Sequence, residues 1–286
     1  MASTGNNAAV HRGLSLHVGL NNINPAHYGG NDGRLEACVN DAEAMEKLAT
    51  AQGFKVLGVL RDTQGTRQAV KDAFTKAAKT LKSGDIFLFT YSGHGSFVPD
   101  ENGDEPDHAD ETWCLYDGML VDDEVYQMWQ AFAPGVRVLA LLDCCHSGTA
   151  IKDFLAILAG GQAVKKPRAR ALPPSIAKKT WMTNRAMYKA ISDATAVAGP
   201  GVVAKDPACT VTLISGCQDD QVSIDDWPNG AFTAQVLAAW NDGAFNGTIA
   251  DFHAQIIASM SPDQQPNLYT VGAADPAFAG QRPFTV

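Results

Sequence analysis

The chain is short of positive charge. Its 22 Lys and Arg stand against 31 Asp and Glu, a formal charge of −9 at pH 7. Such a surface repels phosphate backbones, which sets nucleic acid aside as a general partner. Long apolar runs are also missing: stretches such as Val138-Leu139-Ala140-Leu141-Leu142 are far too short to span a bilayer. The opening residues Met1 to Asn7 are polar and hold no apolar signal core. Six cysteines in 286 residues are too few for a disulfide-stapled scaffold. Together these absences predict a cytoplasmic protein with free thiols and no membrane association. No internal repeat or low-complexity tract interrupts the chain, and 45% apolar content excludes overall disorder.

Strand-like and helix-like patterns alternate. Leu14–Leu20, Lys55–Leu60, Asp85–Tyr91, Val136–Leu142 and Cys209–Ser215 read as strands. Residues 34–52 carry Leu35, Cys38, Ala42, Met45, Leu48 and Ala49 at helical spacing. Thr66–Leu81 does the same with Val70, Phe74, Ala77 and Leu81, and residues 122–132, Gly230–Trp240 and Thr248–Met260 also read as helices. Strands alternating with helices predict an α/β fold with a mostly parallel central sheet flanked by helices.

The charges divide the chain. Between Ser83 and Gly135 there are 12 acidic residues and no Lys or Arg; between Phe154 and Ser192 there are eight Lys or Arg and no acid. The basic stretch contains Lys165-Lys166-Pro167-Arg168-Ala169-Arg170 and Pro173-Pro174, a composition that predicts an exposed connector. The reading is one structural unit with a larger part over 10–160, the basic connector over 161–204 and a smaller part over 205–286.

Two apolar strands run into unusual polar sequences. DIFLFTY leads into Ser92-Gly93-His94-Gly95, and VRVLALL leads into Asp143-Cys144-Cys145-His146-Ser147-Gly148. In open parallel sheets, ligands bind beyond the carboxyl ends of strands, where both sequences fall. A histidine and a cysteine at neighbouring strand ends suit nucleophilic catalysis. Position alone leaves a bland reading open, with a structural histidine in a glycine turn and packed free cysteines. A Cys144-Cys145-His146 metal site is disfavoured, because adjacent side chains on an extended strand point to opposite faces.

The motifs resemble those of the metacaspase branch of the caspase-like cysteine peptidases. SGHG after one strand and DCCHSG after a later one are joined by Cys38-Val39-Asn40-Asp41-Ala42, Asp110–Asp117 (DETWCLYD), Val121-Asp122-Asp123, Ser215-Gly216-Cys217-Gln218-Asp219-Asp220-Gln221 and Gly230-Ala231-Phe232-Thr233, all in family order. Animal caspases carry Q-A-C around the nucleophile, which this sequence lacks. The resemblance implies the caspase-like fold and makes Cys145 the nucleophile and His94 the general acid/base. The backbone N–H groups of Gly95 and Cys145 would form the oxyanion hole, and Cys144 would be a packed neighbour.

The resemblance also implies that Cys38, Asp41, Ser92 and Asp143 line the primary specificity pocket. Two carboxylates facing one another repel unless a cation joins them, and a substrate Arg or Lys supplies that cation. From spacing alone, the favoured reading is that Asp41 decorates a helix and Asp143 caps a turn; the motif match puts basic-residue specificity ahead. Asp110, Asp122 and Asp123 match family calcium ligands. The fourth aspartate is displaced by one residue, leaving Lys152 at the expected place and Asp153 after it. Asp100, Asn102, Asp104 and Glu111 fit an EF-hand spacing, but Glu105 replaces the required glycine, so that loop is rejected.

The expectation is therefore a calcium-stimulated cysteine endopeptidase, a monomer, that cuts protein or peptide substrates after Arg or Lys. The Lys and Arg of the connector make self-cleavage there an expectation as well. Two alternatives are a calcium-responsive scaffold or aggregate-binding protein without proteolysis, and a caspase-type peptidase cutting after Asp.

Overall fold

A computed structural model describes residues 11–99, 109–144, 170–195, 206–218, 221 and 223–286. Its centre is a six-stranded sheet in the order β2-β1-β3-β7-β8-β9. The strands are β1 (Gly13–Gly19), β2 (Lys55–Arg61), β3 (Ile86–Ser92), β7 (Arg137–Asp143), β8 (Thr210–Ser215) and β9 (Asn267–Gly272). Every neighbouring pair is parallel except β8 with β9. The mostly parallel α/β arrangement expected from the alternation is thus the observed one.

The central strands are apolar on both faces because helices cover both. Along β3, Phe87, Phe89 and Tyr91 point into one core, while Ile86 and Leu88 point into the other. This is the period of two that a pleated strand imposes. The first core is closed by α2 (Arg67–Thr80) and α3 (Asp122–Gln130). There Phe74 packs edge-on to Phe87 and Phe89, with ring centroids 5.2 and 5.0 Å away. Such pairs each add about 1 kcal/mol beyond area burial. The second core is closed by α1 (Cys38–Ala51) and by two later helices, α6 (Ala231–Trp240) and α7 (Ile249–Ala258).

Three features depart from the sequence reading. Helix α1 begins at Cys38, four residues after the predicted start. The residues leading into it are held by a carboxylate from far along the chain, Glu36 N–H donating to Asp225 Oδ2 at 2.7 Å and Ala37 N–H to Asp225 Oδ1 at 3.3 Å, and in the first turn Val39 N–H donates to Asn21 Oδ1 at 3.1 Å. No local cap residue marks that boundary. Second, the acidic stretch between β3 and β7 contains a small antiparallel sheet, β4 (Gly95–Pro99), β5 (Ala109–Leu115) and β6 (Gly118–Val121). Its acidic residues hid the alternation.

Third, the connector is not simply exposed loop. Pro174–Thr183 forms α4 and Arg185–Thr195 forms α5. Leu172, Ala177 and Tyr188 bury against Phe97, Val98, Cys114 and Met119 in a third apolar cluster. Prolines at the start of α4 break no hydrogen bond, because the first turn of a helix has no internal acceptor for its N–H groups. A short terminal helix, α8 (Pro276–Ala279), follows β9. No helix among the described residues is long and apolar enough to cross a membrane.

Candidate active site

Strand register assembles the site. Ser92 ends β3 opposite Asp143 at the end of β7, and Gly19 at the end of β1 pairs with Ser92. Helix α1, which follows β1 in the chain, brings Asp41 to the same edge. Its carboxylate accepts a 2.7 Å hydrogen bond from the Ser92 hydroxyl. Cys38, Asp41, Ser92 and Asp143, dispersed in sequence, thus surround one buried point.

That point is occupied by Arg170, whose side chain is 0% exposed. Its Nη1 lies 2.8 Å from Asp143 Oδ2 and donates to Ser92 Oγ at 2.7 Å. Its Nη2 reaches Asp41 Oδ2 at 2.9 Å and Asp225 Oδ1 at 3.0 Å. Arg170 was read from sequence as one of eight exposed connector cations; it is instead fully buried. A guanidinium can leave water only where its charge is matched; here three carboxylates match the charge and the two terminal nitrogens, while Nε has no hydrogen-bond partner among the described residues.

The pocket is pre-built for charge. Asp41 Oδ1 also accepts from Asn229 Nδ2 at 2.9 Å and from the Gly230 N–H at 3.0 Å. Asp143 Oδ2 accepts from the Thr233 N–H at 3.1 Å and its hydroxyl at 2.7 Å, and Ser223 Oγ donates to Asp143 Oδ1 at 2.5 Å. The N-terminus of α6 therefore points its unpaired N–H groups at both carboxylates, which favours negative charge there. Burial raises the Asp41 carboxyl above its ordinary value; Arg170 lowers it in opposition and Asp143 raises it further. Burial pushes the Cys38 thiol up to about 12, against a lowering by Arg170, so Cys38 is a neutral pocket wall.

The backbone of Arg170 is held as firmly as its side chain. Its N–H donates to the Ser223 carbonyl at 3.0 Å, and its carbonyl accepts from the Gly95 N–H at 2.8 Å. Leu172 N–H then donates to the Gly95 carbonyl at 2.8 Å, so residues 170–172 run alongside Gly95 as a short parallel bridge at Ala171. Gly95 is the residue whose N–H the resemblance assigned to an oxyanion hole.

His94 is buried between β3 and this segment. Its Nε2 lies 2.9 Å from the Gly33 carbonyl, which can only accept, so Nε2 carries the proton in the neutral ring. Nδ1 is left with its lone pair and makes no hydrogen bond of ordinary geometry, although the Ala171 backbone is near enough to raise the ring's affinity for a proton. Burial lowers the imidazole to about 4, opposed by the Gly33 carbonyl and joined by the positive charge of Arg170. The ring is neutral at pH 7. Gly33 has left-handed geometry at φ +57°, and a Cβ there would lie 3.1 Å from His94 Cδ2 and 2.6 Å from Ile23. A glycine is needed at that position both for backbone and for space.

Cys145 lies outside the described residues, directly after Cys144. Cys144 is buried, and burial, then Cys217 and Asp143, push its thiol well above the ordinary range. It is not a nucleophile in that state. Asp153 and Lys152 also lie outside the described residues. Asp110 sits on β5, and Asp122 and Asp123 open α3. Burial first, then the charges of Asp110, Glu111 and Asp123, push the Asp122 carboxyl well above its ordinary value. Carboxylate oxygens suit a hard cation, and the repulsion that raises Asp122 is what a cation would relieve. Among the described residues, no three His, Cys, Asp or Glu side chains are gathered into a metal-binding group.

Two site residues escaped sequence reasoning. Asp225 stands four residues beyond the Ser215–Gln221 motif, in an Asp-Asp pair that nothing in the sequence separates from surface acids. Arg170 had only its membership of a basic stretch to mark it.

A two-faced, mostly parallel sheet, with a buried histidine and a carboxylate pocket at the carboxyl ends of its central strands, defines the chain as a caspase-like α/β protein. Caspase-1 from Spodoptera frugiperda shares this fold at a TM-score of 0.53 and 11% identity, over 92% of this chain and 86% of that one. A crystal structure of a Geobacter sulfurreducens protein matches at 0.84 and 48% identity, over 96% of this chain and 99% of that one. Residues 15–153 match the family model of the metacaspase, peptidase C14 domain. Metacaspase-1 of Scheffersomyces stipitis is 32% identical over 249 residues, which span 78% of this chain and 60% of that protein. Metacaspase-1 of Meyerozyma guilliermondii is 27% identical over 299 residues, spanning 95% of this chain and 70% of that protein. The chain belongs to the metacaspase family.

Proposed function

We propose that this chain is a cysteine endopeptidase that cleaves after basic residues, is stimulated by calcium, and cuts its own connector after Arg170. One observation carries the reading: Arg170 is held as a substrate residue would be. Its guanidinium fills the carboxylate pocket, its N–H is paired with Ser223, and its carbonyl oxygen rests on the Gly95 N–H. A pocket with three carboxylates also opposes the alternative of cleavage after Asp, whose own carboxylate would be repelled.

In this mechanism His94 Nδ1 takes the proton of the Cys145 thiol, and the resulting thiolate attacks the Arg170 carbonyl carbon, forming the C–S bond. The oxygen takes up the negative charge against the N–H groups of Gly95 and Cys145. The C–N bond to Ala171 breaks as His94 delivers a proton to the departing amine, and water, deprotonated by His94, hydrolyses the thioester. Nδ1 supports this role, since it carries the lone pair that can take and return a proton. Asp110, Asp122, Asp123 and Asp153 would hold calcium, which there supplies charge neutralisation and no covalent chemistry.

Intact mass and N-terminal sequencing after calcium addition test the reading. A new N-terminus at Ala171, absent in Cys145→Ala, is expected. An uncut wild-type chain that hydrolyses neither Arg nor Lys peptides at any calcium level would overturn it in favour of the non-proteolytic scaffold.

A further inference from the structure

We infer that Asp225 makes this an arginine-selecting pocket that discriminates against lysine. The inference rests on the peptidase reading and narrows its substrate class.

The two terminal nitrogens of Arg170 serve different walls. Nη1 faces Asp143 and Ser92, at the ends of β7 and β3. Nη2 sits between Asp41 at 2.9 Å and Asp225 at 3.0 Å, contributed by α1 and by the segment after β8. Only a planar fork carries two charge-bearing nitrogens that reach opposite walls together.

Asp225 does not depend on the arginine alone for its position. Its Oδ2 is fixed by the Glu36 N–H and its Oδ1 by the Ala37 N–H. The third carboxylate is therefore anchored by two backbone N–H groups as well as by the arginine, and it is 7% exposed with Arg170 in place. A lysine brings one nitrogen on a shorter stem. Paired with Asp143 it strands Asp41 and Asp225; paired with those it strands Asp143. An unpaired carboxylate in a water-free pocket is costly, so the loss falls on lysine. The fit is shaped as well as charged. A Cβ on Gly230 would lie 2.4, 2.5 and 2.6 Å from Nη2, Cζ and Nη1, so the backbone of Gly230 lies close against the guanidinium and leaves room for no side chain.

Removing Asp225 from the pair, with Asp41 and Asp143 retained, leaves a two-carboxylate pocket in which one ammonium is better matched. Matched fluorogenic peptides differing only in Arg or Lys at the cleaved position, assayed with full-length wild type and Asp225→Asn, test this. Asparagine keeps one oxygen for the short Glu36 N–H bond and gives up the 3.3 Å bond from Ala37, and equal melting temperatures check that the fold survives. Wild type is expected to favour Arg by roughly 30-fold or more in kcat/KM, and Asp225→Asn to cut that ratio to below about 5-fold, mainly through KM for the Arg peptide. Asp225→Glu should restore part of the ratio. A second arm needs no Asp225 variant: Arg170→Lys is expected to slow self-cleavage by roughly 30-fold. Hydrolysis of both peptides at similar rates by wild type, or a ratio unmoved by Asp225→Asn, would overturn this inference and leave the peptidase intact. Hydrolysis of neither peptide, with no self-cleavage, would overturn the peptidase reading itself.

Discussion

The carbonyl oxygen of Arg170 accepts a 2.8 Å hydrogen bond from the N–H of Gly95, the residue that follows the buried His94. A connector residue far from β3 in sequence thereby touches the backbone amide to which the proposed function assigns the oxyanion. The same residue fills the adjoining carboxylate pocket, so one segment of the chain occupies both places.

Truncating Arg170 separates these effects. In a Cys145→Ala background, Arg170→Ala is expected to lower stability by about 3 kcal/mol, because it leaves Asp41, Asp143 and Asp225 buried without their cation. Urea unfolding at pH 7 reads this. An unchanged midpoint would mean that the pocket opens to water without cost.

Gly33 links backbone conformation to the placement of His94. Gly33→Ala places a methyl 3.1 Å from His94 Cδ2 and against Ile23, at a φ of +57°. It is expected to lower kcat by on the order of 100-fold through displacement of the imidazole, with a much smaller change in KM. A split in the opposite sense, with KM affected and kcat spared, would place the disturbance in the pocket.

Acid should unfold the protein earlier than its carboxylates alone require. His17 is buried between Thr90 Oγ1 at 2.9 Å and Ser15 Oγ at 3.0 Å, and burial lowers it to about 3; His94 is lowered to about 4. Both are neutral when folded, whereas the unfolded chain takes up their protons near pH 6.5. Their contribution is whole above pH 6.5 and is lost as pH falls toward 4 and 3, at up to about 1.4 kcal/mol per pH unit for each group. Replacing His17 with Gln should flatten the dependence of unfolding free energy on pH between 6 and 4; a slope equal to wild type would show that His17 protonates without cost.

Calcium should act on rate and leave specificity alone. Chelation is expected to reduce Arg-peptide hydrolysis by more than about 10-fold, and Asp123→Asn to raise the calcium needed for half-maximal rate. A rate indifferent to chelator would discard the metal while keeping the dyad and the pocket.

The alternation of apolar strands and amphipathic helices made the sheet readable, because a strand buried on both faces and a helix with one apolar stripe leave different periods in sequence. The polar sequences at two strand ends likewise marked His94, Gly95, Ser92 and Asp143. Helix α1 was overextended because its start is set by Asp225, a non-local cap. The β4–β6 sheet and the packed helices α4 and α5 were missed because their charged and proline-rich composition masks the apolar residues that bury.

What the amino-acid sequence determined by itself was local: element type from periodicity, and motif residues from their order along the chain. That Arg170, among eight cations of one stretch, is the one buried against Asp41, Asp143 and Asp225 was decided only by tertiary structure. Nothing local distinguishes it. Its place depends on strand register, on the N-terminus of α6 and on a carboxylate fixed at the start of α1, and electrostatic pairing in a water-free pocket acts through space, with no memory of distance along the chain.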